Sequence, residues 1–116
     1  MDNFKKFANS FQAIAKPGLE SIRALLEVMK NPQKNLKFIH IAGTNGKGSV
    51  CTYLQEILTV SGIKTGKYTS PNLISVCERI SVDGKNISET EMENLLHEME
   101  TYCAKLPKDI SPTQFE

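Results

Sequence analysis

The stretch of this chain whose residue types and spacing could do chemistry is Gly43-Thr44-Asn45-Gly46-Lys47-Gly48-Ser49. Glycines at 43, 46 and 48 let the backbone turn tightly and bring several N–H groups toward one point. Lys47 adds a compact positive charge and Ser49 a hydroxyl. Convergent amides, a cation and a following helix N-terminus suit a phosphate. The generic pattern G-x-x-x-x-G-K-[ST] is not met, because two residues separate Gly43 from Gly46 and Ser49 stands two places after Lys47. The competing reading is a strand–turn–helix connection in which the glycines only turn the chain and Ser49 only caps the helix.

A phosphate loop needs a strand to deliver it and a helix to receive it. Lys37 to Ala42 is short, apolar and partly β-branched, and predicts a buried strand. Ser49 to Ser61 predicts a helix with Val50, Leu54, Ile57 and Leu58 on one face, stopped by Gly62. Lys64 to Thr69 predicts a second strand, parallel to the first by way of that helix. Upstream, Phe4, Phe7, Phe11 and Ile14 recur at helix-like spacing before Pro17-Gly18. Leu19 to Lys30 then predicts a helix, ended by Asn31-Pro32.

Downstream, Ser70 to Glu78 reads as a loop and Ile80 to Ile87 as a hairpin about Asp83-Gly84. Ser88 and Glu91 form a capping-box signature for a helix with Met92, Leu95, Leu96, Met99 and Cys103 on one face, closed by Leu106-Pro107. That stripe reads as core, His40 as a packed histidine, and Glu78-Arg79 as a surface ion pair of small worth.

The bulk numbers narrow the class. With 116 residues, 40% of them hydrophobic, the chain makes one small domain or a piece of a larger one. A net charge of +1 carries no signal for nucleic acid or an anionic membrane. No apolar run is long enough to span a bilayer, and Met1 to Lys6 leads into no secretory signal. Three cysteines, Cys51, Cys77 and Cys103, with no CxxC pair, point to reduced thiols in the cytoplasm and to neither a disulfide framework nor a structural zinc. Two parallel strands make a poor sheet, and Phe115-Glu116 reads as the start of an element, so a longer parent protein is expected.

Ala42 to Ser49, AGTNGKGS, resembles the loop of folylpolyglutamate synthases and dihydrofolate synthases, within the wider group of ATP-dependent amide ligases that includes the Mur ligases. Mur ligases typically carry threonine after the lysine, so Gly48 favours the folate branch. Tyr68 to Ile80, YTSPNLISVCERI, is similar to the family's Tyr-Thr-Ser-Pro-His-Leu followed by Asn-Glu-Arg-Ile. Thr113 to Glu116, TQFE, resembles the family's Thr-x-Phe-Glu, and Gly18 to Arg23 with Asn31-Pro32-Gln33 also fit. Asn72 and Cys77 depart from the histidine and asparagine common at those positions.

The resemblance implies an α/β fold, a P-loop NTPase-like three-layer domain with a parallel sheet. Residues 1–116 would be its N-terminal portion only, without the later strand and loop that supply a metal-binding glutamate and histidine, and without the C-terminal domain. It implies ATP and Mg2+ as cofactors, and as substrates L-glutamate with a reduced folate or dihydropteroate. ATP would phosphorylate the substrate carboxylate and the amine of glutamate would attack the acyl phosphate. Gly43, Thr44, Asn45, Gly46, Lys47, Gly48 and Ser49 would hold the nucleotide, with Lys47 catalytic on the outer phosphates. Ser70 would bind magnesium, and Thr113, Gln114, Phe115 and Glu116 would face the pterin. For Ser70 the plain alternative is a loop serine before proline, and for 113–116 a helix start with Phe115 in the core. The parent would be monomeric and cytoplasmic, with no nucleic acid or membrane partner. Dihydrofolate synthase or a bifunctional enzyme is the close alternative, a Mur-type ligase fits less well, and a non-catalytic nucleotide-binding module is the alternative of another class.

Overall fold

A computed structural model describes residues 18–110 and residue 112. In chain order the elements are α1 (Glu20–Val28), a 3-10 turn (Pro32–Asn35), α2 (Lys47–Val60), β1 (Gly66–Tyr68), a 3-10 turn (Val76–Arg79), β2 (Ile80–Val82), β3 (Lys85–Asn86) and α3 (Glu89–Cys103). The described residues fall into two units, 38–92 and the remainder. The helix-like pattern of Phe4 to Ile14 and the Thr113 to Glu116 motif lie outside the described residues.

In the unit outside 38–92, α1 buries Leu25 and half-buries Ile22, Leu26 and Met29, the face that the spacing predicts. It stops where Asn31-Pro32 requires. Lys30 turns left-handed at φ 64°, its N–H donates to the Glu27 carbonyl at 3.0 Å, and Asn31 N–H donates to the Leu26 carbonyl at 2.7 Å. Helix α3 begins in the unit 38–92, where Met92 is buried; in its remainder Leu96, Met99 and Cys103 are half-buried, while Leu95 is exposed and so is not core. The capping box is formed in both directions: Ser88 N–H donates to Glu91 Oε2 at 2.7 Å, and Glu91 N–H donates to Ser88 Oγ at 3.1 Å.

In the unit 38–92, the sheet has the order β1-β2-β3 and both pairings are antiparallel. Asp83 and Gly84 take φ of 50° and 82°, the left-handed pair that a two-residue hairpin turn needs. The turn is tied to the entry of β1, because Thr65 N–H donates to Asp83 Oδ1 at 2.8 Å and Asp83 N–H donates to the Thr65 carbonyl at 2.9 Å. Helix α2 packs on β1, and Gly62, just past its C-cap Ser61, turns the chain away at φ 83°. The Gly62 N–H then reaches the Thr59 carbonyl and the Ile63 N–H the Leu58 carbonyl, both at 3.0 Å.

Three expectations are corrected. Lys37 to Ala42 forms no strand, and the expected parallel pair with residues 64–69 is not present among the described residues. A strand buried on both faces needs hydrogen-bonded neighbours and covering side chains. Here Phe38 and Ile39 are 70% and 66% exposed, and His40 is exposed rather than packed. Strand β1 instead takes the nearest partner in sequence: Thr69 N–H donates to the Arg79 carbonyl at 2.9 Å, closing the intervening loop and setting β2 antiparallel beside it.

Candidate functional site

The glycine loop opens directly into α2. Gly43 and Gly46 take φ of 148° and 76°, and Gly46 is the N-cap in the left-handed region, where a side chain would be strained. The helix therefore starts at Lys47, two residues earlier than its pattern predicts, and Ser49 sits inside the first turn instead of capping it. The first intrahelical bond runs from Val50 N–H to the Gly46 carbonyl at 3.0 Å. That leaves the amides of Lys47, Gly48 and Ser49 without an intrahelical acceptor, at the positive end of a 14-residue helix.

The Lys47 ammonium folds back over the loop and donates to the Gly43 carbonyl. All residues from Gly43 to Val50 are exposed. Beside them lies an open depression lined by Gly48, Ser49, Thr52 and Tyr53. Thr52 Oγ1 donates to the Gly48 carbonyl at 2.9 Å and accepts from Lys67 Nζ at 3.3 Å, which brings a second ammonium from β1 to the same helix end. Chemically, two lysines and helix amides open to solvent are an arrangement that suits an anion.

Ser70 lies on the loop between β1 and β2, exposed, with a cis peptide to Pro71. The rest of that loop is ordered by the next two charged residues. Glu78 accepts N–H bonds from Leu73 at 3.0 Å, Ile74 at 2.9 Å and Ser75 at 2.8 Å. Arg79 Nε donates to Asn72 Oδ1 at 2.8 Å. Bonds from the Ser75, Leu73 and Ile74 amides hold the Glu78 carboxyl below the usual glutamate range, since they stabilise its charged form. Glu78 and Arg79 are thus not an ion pair with each other. Ser70 offers a single hydroxyl oxygen, and among the described residues no three His, Cys, Asp or Glu gather as a metal cage. A hydroxyl oxygen is a hard donor of the kind magnesium accepts beside waters and phosphate oxygens.

No protein-family model matches the chain. It is 45% identical over 72% of its length to the dihydrofolate synthetase of Saccharomyces cerevisiae, covering 19% of that protein. It is 38% identical over 87% of its length to the dihydrofolate synthase/folylpolyglutamate synthase of Bacillus subtilis, covering 24% of it. Among solved structures, the apo form of L. casei folylpolyglutamate synthase superposes with a TM-score of 0.90 at 31% identity, over 98% of this chain and 28% of that one. The chain is a homologue of a segment of folylpolyglutamate and dihydrofolate synthases. A folylpolyglutamate synthase–AMPPCP–folate complex matches nearly as well, with a TM-score of 0.89 at 31% identity, over 98% of this chain and 28% of that one. The mixed helix-and-sheet class is that of the solved folylpolyglutamate synthases. The chain spans about a quarter or less of the length of the relatives named from yeast and Bacillus.

Against the family pattern, the two departures have visible structural uses. Asn72 supplies the amide oxygen that receives Arg79. Cys77 is 7% exposed in the 3-10 turn, a position where a small apolar thiol packs well. Three features escape the sequence reading. Ser75-Val76-Cys77-Glu78 is a capping-box signature of the same form as Ser88 to Glu91 and is formed in both directions. Lys67 carries no signal by itself, because a lysine on a short strand reads as solvated. Gln55 reads as a surface residue of α2, yet it is buried against Ser81. Among the described residues no helix is long and apolar enough to cross a membrane.

Proposed function

We propose that this chain is the N-terminal part of the Mur-ligase-type ATP-binding domain of an ATP-dependent ligase that adds glutamate to the γ-carboxylate of a folate. The observation that carries the reading is the Lys47 ammonium held over Gly43 at the open N-terminus of α2. Its support is the likeness to folylpolyglutamate and dihydrofolate synthases, together with a neighbouring complex that holds AMPPCP, an ATP analogue, and folate.

In this reading the loop amides of Thr44 to Gly48 and the dipole of α2 bind the phosphates. Lys47 releases the Gly43 carbonyl and neutralises charge on the outer phosphates as the phosphoryl group moves to the folate carboxylate. Ser49 places its hydroxyl on phosphate or its cation. Ser70 would give magnesium one hydroxyl oxygen, and the ion would supply neutralising charge when bound. Glutamate then displaces phosphate from the acyl phosphate, forming the amide. Thr113 to Glu116 would face the pterin. The parent would be a cytoplasmic monomer, and residues 1–116 alone would not turn over, because the family's remaining metal ligands and second domain fall in a later part of its length.

One observation favours a second reading, dihydrofolate synthase or a bifunctional enzyme: the 45% identical yeast relative is a dihydrofolate synthetase. In a longer protein carrying this segment, Lys47→Ala is expected to abolish ADP release that depends on glutamate and on either reduced folate or dihydropteroate. Retained release overturns the ligase reading of this loop, and the preferred acceptor separates the two enzymes. The 116-residue chain alone is expected to release no ADP under the same conditions.

A further inference from the structure

Glu78 and Arg79 tie down nearly every residue of the segment that carries Ser70. The Arg79 carbonyl receives the Thr69 N–H at 2.9 Å and its Nε donates to Asn72 Oδ1 at 2.8 Å. The Glu78 carboxylate receives the amides of Leu73, Ile74 and Ser75 at 2.8–3.0 Å. Ser70 and Pro71 lie between the two anchored ends, Thr69 and Asn72. Burial does not explain this investment of polar bonds, since the Leu73 and Ile74 side chains are 93% and 94% exposed. A loop whose apolar side chains stand in water gains no ordering from a core, and conformational entropy would leave it loose. Its geometry is therefore set by charge-assisted hydrogen bonds, the kind used where atoms must be held in place.

We propose that Glu78 and Arg79 are positioning residues for Ser70: they hold the Thr69 to Ser75 loop so that the Ser70 hydroxyl is preorganised for a nucleotide-bound magnesium ion. The inference rests on the reading of Ser70 given under the proposed function. Neither residue touches the nucleotide; they act through the loop backbone and Asn72.

The test uses wild type, Glu78→Gln, Asn72→Ala and Ser70→Ala, with amide hydrogen exchange and AMPPCP binding measured with and without Mg2+. Glu78→Gln keeps the shape but replaces one acceptor oxygen by a donor that faces other donors. It is expected to speed exchange at Leu73, Ile74 and Ser75 by roughly tenfold or more while α3 amides stay protected. The gain in AMPPCP affinity that Mg2+ confers should fall about tenfold, with metal-free affinity unchanged. Ser70→Ala should lose the same gain without faster exchange, and combining it with Glu78→Gln should add no further loss. If Glu78→Gln loses α3 protection, Asn72→Ala, which removes only the Arg79 acceptor, decides in its place. A loop that exchanges faster yet keeps the full Mg2+ gain overturns the inference, as does wild type that binds AMPPCP with no Mg2+ gain. Wild type that binds no AMPPCP at all overturns the proposed function and the inference with it.

Discussion

Gln55 Nε2 donates to Ser81 Oγ at 3.0 Å, and the two residues are 5% and 2% exposed. The bond joins the middle of α2 to β2, the central strand of the sheet. It fixes the helix that begins with the glycine loop against the strand that follows the Ser70 loop. A buried amide must keep its partner, because an unsatisfied donor costs about 1–3 kcal/mol. Ser81→Ala is therefore expected to destabilise the unit by about 1–3 kcal/mol in urea unfolding. Gln55→Leu combined with Ser81→Ala should recover part of that loss, since both polar groups are then gone. A Ser81→Ala variant as stable as wild type contradicts the assignment.

Gly46 is the hinge between loop and helix. Its φ of 76° lies in the left-handed region, and a Cβ there would meet no atom within 4 Å. The cost of Gly46→Ala is therefore backbone strain alone, about 1–2 kcal/mol. Thermal unfolding should show that loss, and weaker AMPPCP binding should accompany it if the strain relaxes the amides of Lys47 to Ser49. A silent Gly46→Ala substitution contradicts this geometry.

The Ser88–Glu91 box starts α3, and its two bonds measure 2.7 and 3.1 Å. Ser88→Ala should cost about 1 kcal/mol, with fraying of the first turn visible as faster exchange of the Glu91 and Met92 amides. Faster exchange confined to the C-terminal end near Cys103 would count against the box as the start signal.

Glu78 sets a pH dependence with a definite sign. Its native carboxyl titrates below the unfolded value, about 4.3 for an ordinary glutamate. The loop stabilisation it gives is thus fully present above about 4.3 and is lost as pH falls through the lowered native value. The carboxyl carbon resonance of Glu78 should titrate below the ordinary glutamate midpoint, and the Leu73 to Ser75 amide resonances should shift with it. A midpoint at or above the ordinary value would mean that the three amide bonds do not form in solution.

The features legible in the sequence are those whose causes are local. The spacing of Ile22, Leu25 and Leu26, the Asp83-Gly84 pair and the Ser88–Glu91 box each act within a few residues, and each forms as expected. Lys37 to Ala42 fails as a strand because strand formation depends on partners elsewhere in the chain, and among the described residues it has none. Gln55 and Ser81 are opaque for the same reason: each is a common surface residue until a contact 26 residues away removes it from water. Glu78-Arg79 looks like a charge pair, but adjacent residues that turn to different partners are distinguished only by three-dimensional geometry. Its capping-box spacing from Ser75 is the one sequence signal for its role. The helix start after the glycine loop is legible to within two residues because its causes are contiguous, from Gly43 through the first turn of α2; the phosphate site proposed there would use the same backbone.

Lys47 and the start of α2 are the proposed seat of the nucleotide phosphates. Titration of the chain with AMPPCP in the presence of Mg2+, comparing wild type with Lys47→Met, tests it most directly. Wild type is expected to bind saturably and Lys47→Met to lose about tenfold or more in affinity, with the helical content unchanged. Equal affinity in the two proteins, or no binding to wild type, would contradict it.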